Sequence, residues 1–418
     1  MTNNSAGPCV LNRNRKTSYP GIMALNRIFL HLVAVLLFAG TASAPAQELS
    51  EQGEVLLITC DPGEEVYSVF GHSAIWIRDT ITGIDHVYNY GLFDFNTPNF
   101  YMKFIRGKLL YQLGRTTYRG FIREYVIAQR TVYVQKIYLN GGERDELFRI
   151  LEINNQPENR DYLYDFFYDN CSSKIIDQFD AVLDDKSSME HLSNSTGVSF
   201  RKSLKPYLAY KPWVYLGMDV TLGLPSDKIM TIRESMYLPF NLMQKLNDGY
   251  PPHLSGEPVV VFQGRENTAP LPWWTPDRVL WPLSVVVILM SLVLKDGPVM
   301  RIFDGFLFTL TGLVGILVFF LWFLSDHQST NYNCNLIWAF PLNLLFIGRY
   351  SKKFRSWYDQ YLKVYGIVLV MLLVSWAFLP QDLNEALIPV VILLAFRSLQ
   401  CSGQWDRWSS KWLPKRSI

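Results

Sequence analysis

Apolar and polar positions divide the chain into three stretches with different rhythms. Residues 23–47 carry Arg27, an apolar run from Ile28 to Ala39, and then small residues. That order is a secretory signal. Ala44-Pro45-Ala46 before Gln47 is the better cleavage site, because a cut after Ala44 would leave Pro45 first. An uncleaved anchor is the alternative, against which the apolar run is short. Met23 reads as the initiator and residues 1–22 as an upstream extension, so residues 1–46 are set apart from the fold.

From 47 to 271 the runs are short and mixed. Val55–Thr59 is an apolar strand. Ser73–Arg78 and His86–Tyr90 are β-rich runs joined by the turn-rich Asp79–Asp85, which predicts a hairpin. Arg130–Leu139 alternates as a strand does. Gly141–Asn154 reads as a helix with Leu147, Ile150 and Leu151 on one face. After Cys171, Ile175, Ile176, Phe179, Val182 and Leu183 recur at helical spacing, with Asp169 or Asn170 as the cap. Phe240, Leu242, Met243 and Leu246 mark an amphipathic helix, for the core or for a membrane surface. The rest of 186–270 carries no legible pattern. The class is α+β.

From 272 to 400 the sequence is a series of apolar segments, near 279–294, 302–324, 334–348, 364–380 and 385–399. The second meets the length of a span, about 20 residues. The third is short and reads either as a span or as re-entrant. Lys295 and Arg301 flank the first connection; Arg349, Lys352, Lys353 and Arg355 fill the third. The tail, 401–418, holds Arg407, Lys411, Lys415 and Arg416, whereas Ser325–Asn333 and Pro380–Glu385 contain no lysine or arginine. Positive charge stays inside. Five crossings with a cytoplasmic tail satisfy that alternation and place the N-terminal domain outside the cytoplasm. Trp273, Trp274 and Trp281 suit an interfacial belt at the first crossing.

Net charge is +2 and no basic patch is interleaved with aromatics, which argues against nucleic acid. Of five cysteines, only Cys60 and Cys171 fall in the exported domain, so a disulfide framework is not indicated. Cys60 reads as a buried strand-end residue. A Cys60–Cys171 bridge is the other option and would block a thiol nucleophile. Six scattered histidines give no ligand spacing, so neither a metal nor a cofactor is expected. The acidic run Asp161, Asp165 and Asp169 lies among aromatics and reads as packed and capped.

The remaining chemistry is His72 at the start of one strand and Cys171 at the start of a helix, 99 residues apart. The thiolate is the nucleophile, and a helix N-terminus and an imidazolium both favour it. Asn89, on the paired strand, is placed to hold the imidazole, and the Cys171 N–H to face a carbonyl oxygen. In the loop 326–331, His327 is the sole histidine of the membrane half. It is either part of a polar connector or a lip contacting a lipid headgroup.

The order of His strand, hairpin and Asn-Cys helix resembles the circularly permuted papain-like enzymes, which include lecithin:retinol acyltransferase and NlpC-type enzymes. Leu57–Glu64, Tyr67–Ser73 and Tyr168–Ser172 together resemble the exported domain of Lnb-type lipoprotein N-acyltransferases of Bacteroides-like bacteria. The resemblance extends over roughly residues 50–400. It implies a permuted papain-like exported domain followed by an all-α bundle of five transmembrane helices. It also implies catalysis by Cys171 and His72, with Asn89 matching only approximately. The implied partners are a phospholipid acyl donor, a diacylated lipoprotein acceptor and the membrane. A papain-like peptidoglycan or peptide amidohydrolase is the alternative, and a non-catalytic membrane assembly module a further one.

Overall fold

A computed structural model describes residues 48–183, 191–249, 253–266, 270–294 and 297–403. The signal sequence and all but the start of the tail lie outside the described residues.

The first half is built on a seven-stranded antiparallel sheet. Its strands are β1 (Glu54–Cys60), β2 (His72–Asp79), β3 (Ile84–Leu92), β4 (Leu110–Thr116), β5 (Val132–Ile137), β6 (Asp161–Leu163) and β9 (Val259–Phe262). Their order is β6-β4-β3-β2-β1-β5-β9. β7 (Ser195–Ser199) and β8 (Ile229–Thr231) form a separate pair. β1 reads as a continuous apolar run because both faces of the sheet are covered. On one face Leu57, Ile75 and Tyr88 pack against α3 (Gly141–Asn154), α4 (Cys171–Val182) and α8 (Pro239–Asn247). On the other, Ile58, Cys60, Ala74, Trp76 and Val87 pack against Phe121 and Tyr125 of α2 (Tyr118–Ile127). α1 (Phe100–Ile105) lies between β3 and β4.

The helix over 239–247 belongs to the core: Leu242 and Leu246 are buried among Leu57 and Ile175. The stretch illegible in sequence holds α5 (Phe200–Leu204), α6 (Pro212–Thr221) and α7 (Ile232–Ser235). Phe200, Leu204, Met230 and Tyr237 there pack with Phe70 and Phe167. Asp165 caps a tight turn, accepting from the N–H of Phe167 and Tyr168, and Asp169 pairs with Lys174 at 2.6 Å.

The second half contains α9 (Pro276–Leu294), α10 (Pro298–Phe323), α11 (Asn335–Trp338), α12 (Lys352–Ser375) and α13 (Ile388–Cys401). Among the described residues three helices are long and apolar enough to cross a membrane, those beginning at Pro276, Pro298 and Lys352. The third apolar segment is not one helix. Pro341 forces Phe340 into the extended region, φ −81° and ψ 130°, which ends α11. A 3-10 helix, Pro341–Tyr350, then continues. Gly312 and Gly315 on α10 lack the side chains that would obstruct its backbone. The fifth segment is a short helix that begins at Ile388-Pro389.

The helices of this half pack into a bundle with two ends. At one end, Gln400 Nε2 reaches Ser291 O at 3.0 Å, Tyr350 Oη reaches Arg301 O at 3.4 Å, and Arg397 pairs with Asp304 at 2.6 Å. At the other end lie the two connections without lysine or arginine, and the sheet domain sits on both. Asn333 and Asn335 donate to Val220 O at 2.8 and 3.1 Å. Gln381 donates to Leu222 O at 3.0 Å and accepts from the Cys334 N–H at 2.6 Å. Asn384 donates to Asp219 at 2.7 Å, and Asp219 itself is held by Arg201. Leu49 to Ile418 is accordingly one unit.

Candidate active site

Strand alternation places His72, Ala74 and Trp76 on one face of β2. Val87 lies opposite Trp76, so Asn89, two residues on, shares that face. The consequence is direct: His72 Nε2–H donates to Asn89 Oδ1 at 2.6 Å. Nδ1 is the nitrogen left for the thiol, and the imidazole and Cys171 lie within reach of each other's charge. Phe121 and Tyr125 stack against the imidazole, each with centroids 6.4 Å away.

Cys171 is the first residue of α4, where unpaired N–H groups favour an anion. Asn170 caps the helix. Its Oδ1 accepts from the N–H of Ser172 and Ser173 at 2.8 and 2.9 Å, and Ser173 Oγ accepts from the Asn170 N–H at 2.7 Å. The cap thus leaves the Cys171 N–H free of its own bonds, as an oxyanion donor requires. Asn170 Nδ2 is anchored to Phe166 O and Tyr237 O at 2.8 and 2.9 Å. Asn170→Ala should cost about 2 kcal/mol, because a cap and two buried acceptors lose their partner together. A fall in melting temperature of the detergent-solubilised chain checks this.

Room for the thiol comes from Gly91. A bulge interrupts β3 between Asn89 and Leu92, and Gly91 takes φ +94°. A Cβ there would lie 3.7 Å from Cys171 Cβ and 4.0 Å from His72 Cε1, so a larger side chain would cover the pair.

Electrostatics favours charge separation. Burial pushes the Cys171 thiol up, but the His72 charge and hydrogen bond, the Ser73 N–H and Ser172 outweigh it, and the net shift is down. Burial pushes His72 down, but the Cys171 thiolate and Asn89 outweigh it, and the net shift is up. Each partner stabilises the charged form of the other, as an ion pair does. Cys60 is the contrast: wholly buried, it is pushed far above the ordinary thiol range, chiefly by burial. Both cysteines are free thiols, so no bridge occupies Cys171. Burial, then the Cys171 charge, keeps the phenols of Tyr162 and Tyr164 protonated beside the thiol.

The structure therefore brings Cys171, His72 and Asn89 together. It does not bring His327 to them: His327 Nε2–H donates to Phe104 O at 2.9 Å, in the loop after α10. Ser73, Gly91 and Tyr237 escaped sequence reasoning. A glycine inside a strand pattern was a usable signal for Gly91. None existed for Tyr237, which acts through its backbone carbonyl 67 residues from Asn170. A cavity of about 640 Å³ opens in the second half, lined by Leu224, Trp322, Tyr332, Cys334, Phe340 and Tyr361 among others.

Residues 46–206 match the family description "Lnb N-terminal periplasmic domain", and residues 267–404 match "Lnb transmembrane domain". Comparison with curated proteins gives no match, and comparison with solved structures gives none. With both halves matched in this order, the chain belongs to the Lnb family, as a two-part membrane protein with a periplasmic N-terminal domain and a transmembrane C-terminal domain.

Proposed function

We propose that this chain is a cysteine-dependent lipoprotein N-acyltransferase of the bacterial inner membrane. The observation that carries the reading is a thiol–imidazole–amide line in a periplasmic domain that rests on the outer loops of a membrane bundle. His72 preceding Cys171 in the chain is the order expected of a circularly permuted papain-like domain.

In the first step Cys171 Sγ attacks the carbonyl carbon of a phospholipid ester. A C–S bond forms and the ester C–O bond breaks. The His72 imidazolium gives its proton to the departing oxygen, so a lysophospholipid leaves. The Cys171 N–H faces the carbonyl oxygen as it gains charge. In the second step the α-amine of a diacylglyceryl-cysteine lipoprotein attacks the thioester. An amide C–N bond forms, the C–S bond breaks, and His72 takes the amine proton. The thiolate returns beside the imidazolium, and the lipoprotein leaves triacylated. Both substrates are membrane-bound, and an acyl chain costs about 0.8 kcal/mol per methylene exposed to water. A thiol resting on the bilayer avoids that cost.

Five crossings accompany this reading, with the domain of residues 47–271 in the periplasm and the tail, 401–418, in the cytoplasm. The support is geometric. α12 ends beside Gln381, under the periplasmic domain, so its start at Lys352 lies at the far side. The segment from Asn333 to Ser351 must then cross as well. Its ten-residue 3-10 portion rises about 20 Å, and the four residues of α11 add about 6 Å. Substituted-cysteine labelling should find position 331 reactive from the periplasm and position 353 only from the cytoplasm. Equal periplasmic labelling of both would overturn the count.

The activity is tested with the purified full chain in phospholipid nanodiscs and a synthetic diacylglyceryl-cysteine lipopeptide. The lipopeptide should gain one acyl chain on its α-amine by mass spectrometry. An unaltered lipopeptide, with cleavage of peptidoglycan peptides instead, would favour the hydrolase.

A further inference from the structure

We propose that the segment Phe93–Lys108, between β3 and β4, is the platform on which the phospholipid donor is laid out, acyl chain toward Cys171 and phosphate toward Arg106. The inference rests on the acyltransferase reading and adds which substrate enters by which surface.

Aromatic rings connect the thiol to the membrane loop without a gap. Tyr164, beside Cys171, stacks on Tyr111 at 4.2 Å between centroids. Tyr111 touches Phe93 at 5.2 Å, Phe93 touches Phe100 at 5.9 Å, and Phe100 stacks on Phe104 at 6.5 Å. Phe104 meets His327 at 6.5 Å. Phe95 joins from the side, 4.9 Å from Phe93 and 5.0 Å from Phe100. The start of the line is close to the chemistry, since Phe93 lies two residues beyond Gly91, whose Cβ position touches both Cys171 and His72.

Its far end is fixed to the bundle. Asp326 N–H donates to Arg106 O at 3.0 Å, and His327 Nε2–H donates to Phe104 O at 2.9 Å. Gly107 takes φ +68°, and a Cβ on it would lie 3.3 Å from His327 N, so the approach of the loop depends on its bareness. That loop follows α10, at the periplasmic end of a spanning helix. The line therefore begins at the thiol and ends where the bilayer begins.

The surface has the wrong character for water and the right one for a lipid boundary. Phe95 is 61 % exposed, Tyr101 75 %, Met102 54 % and Phe104 49 %. Exposed rings grouped on one short element mark an interaction surface, and cations beside them suit an anionic lipid headgroup. Lys103, Arg106 and Lys108 supply those cations within six residues, and Lys108 also pairs with Asp326 at 3.7 Å. The charge selects the occupant. A phospholipid donor carries a phosphate; the diacylglyceryl-cysteine of the acceptor carries none.

The experiment uses the full chain in nanodiscs of phosphatidylglycerol and phosphatidylethanolamine, and reads the acyl adduct on the Cys171 peptide by mass spectrometry. A second acyl source, water-soluble p-nitrophenyl butyrate, needs no platform. The substitutions Phe95→Ser, Phe104→Ser and Arg106→Glu are all at exposed positions. Together they should lower the rate of phospholipid-derived acylation about ten-fold more than the butyrate rate. Phe95→Leu with Phe104→Leu, which keeps the surface apolar, should restore most of it. Equal losses with both acyl sources would overturn the platform, as would an undiminished phospholipid adduct in the triple variant. A missing phospholipid adduct in the unaltered chain removes the donor reading itself, and the platform with it.

Discussion

Cys171→Ala should abolish lipopeptide acylation, with a loss of at least about 10⁴-fold, as removing a nucleophile from a covalent mechanism does. The substitution is structurally mild. Cys171 is half-buried, and the cap is built by Asn170 and Ser173, so the helix start survives. No neighbour replaces the thiol. Ser172 Oγ is buried and donates to Ser73 Oγ at 3.2 Å, and Cys60 is held protonated within the sheet. Activity should therefore fall to background while the melting temperature stays close to that of the parent. Cys171→Ser separates chemistry from position. It keeps an attacking oxygen but loses the charge-separated pair, because a hydroxyl is not ionised by an adjacent imidazole. Lipopeptide acylation followed by mass spectrometry, alongside thermal unfolding, decides both.

His72→Ala should cost on the order of 10³-fold, the usual worth of a positioned acid–base group. It should also leave a signature that a structural role would not. Burial alone raises the Cys171 thiol, and the His72 charge is the largest influence that brings it down. With His72 gone, the thiol should titrate above the ordinary thiol range instead of below it. The sign follows for alkylation. In the parent chain the thiolate persists at pH values where a free thiol is protonated, and iodoacetamide labels Cys171 there. In His72→Ala that labelling should move to alkaline pH. His72 in turn keeps its proton above the ordinary histidine range while the thiolate is present, so the parent's rate should be bell-shaped in pH. Asn89→Ala removes one hydrogen bond to the imidazolium and should cost about ten-fold, with a smaller displacement of the same profile.

The hairpin and both site-bearing elements were legible because each carries a local signal. Ser73–Arg78 and His86–Tyr90 are β-rich runs either side of a turn, and Asn170-Cys171 precedes a helical apolar repeat. Asn89 was legible because one register fixes which residues of a hairpin share a face. The edge strands β6 and β9, and β4 beside β6, were not, since short or partly exposed strands leave little apolar alternation to read. The segment 191–238 was opaque for another reason. Its contribution to the site is a carbonyl of Tyr237 and a packed cluster around Phe200, and neither writes a periodic pattern. The third membrane segment carried its break in Pro341, which was visible, but whether it crosses depends on contacts between distant loops.

The position of His327 changes its reading. As a lone histidine it suggested a headgroup contact, but its ring nitrogen is committed to Phe104 O. Its role in this account is to join the membrane loop to α1, which makes it a positioning residue for the lipid surface.

The measurement closest to the central claim is the mass of the Cys171 peptide after the full chain is incubated with phospholipid and no acceptor. Cys171 should carry one added acyl chain, removable by hydroxylamine and transferred to the α-amine when the diacylated lipopeptide is supplied. An α-amine acylated at full rate while Cys171 never carries the chain would contradict it.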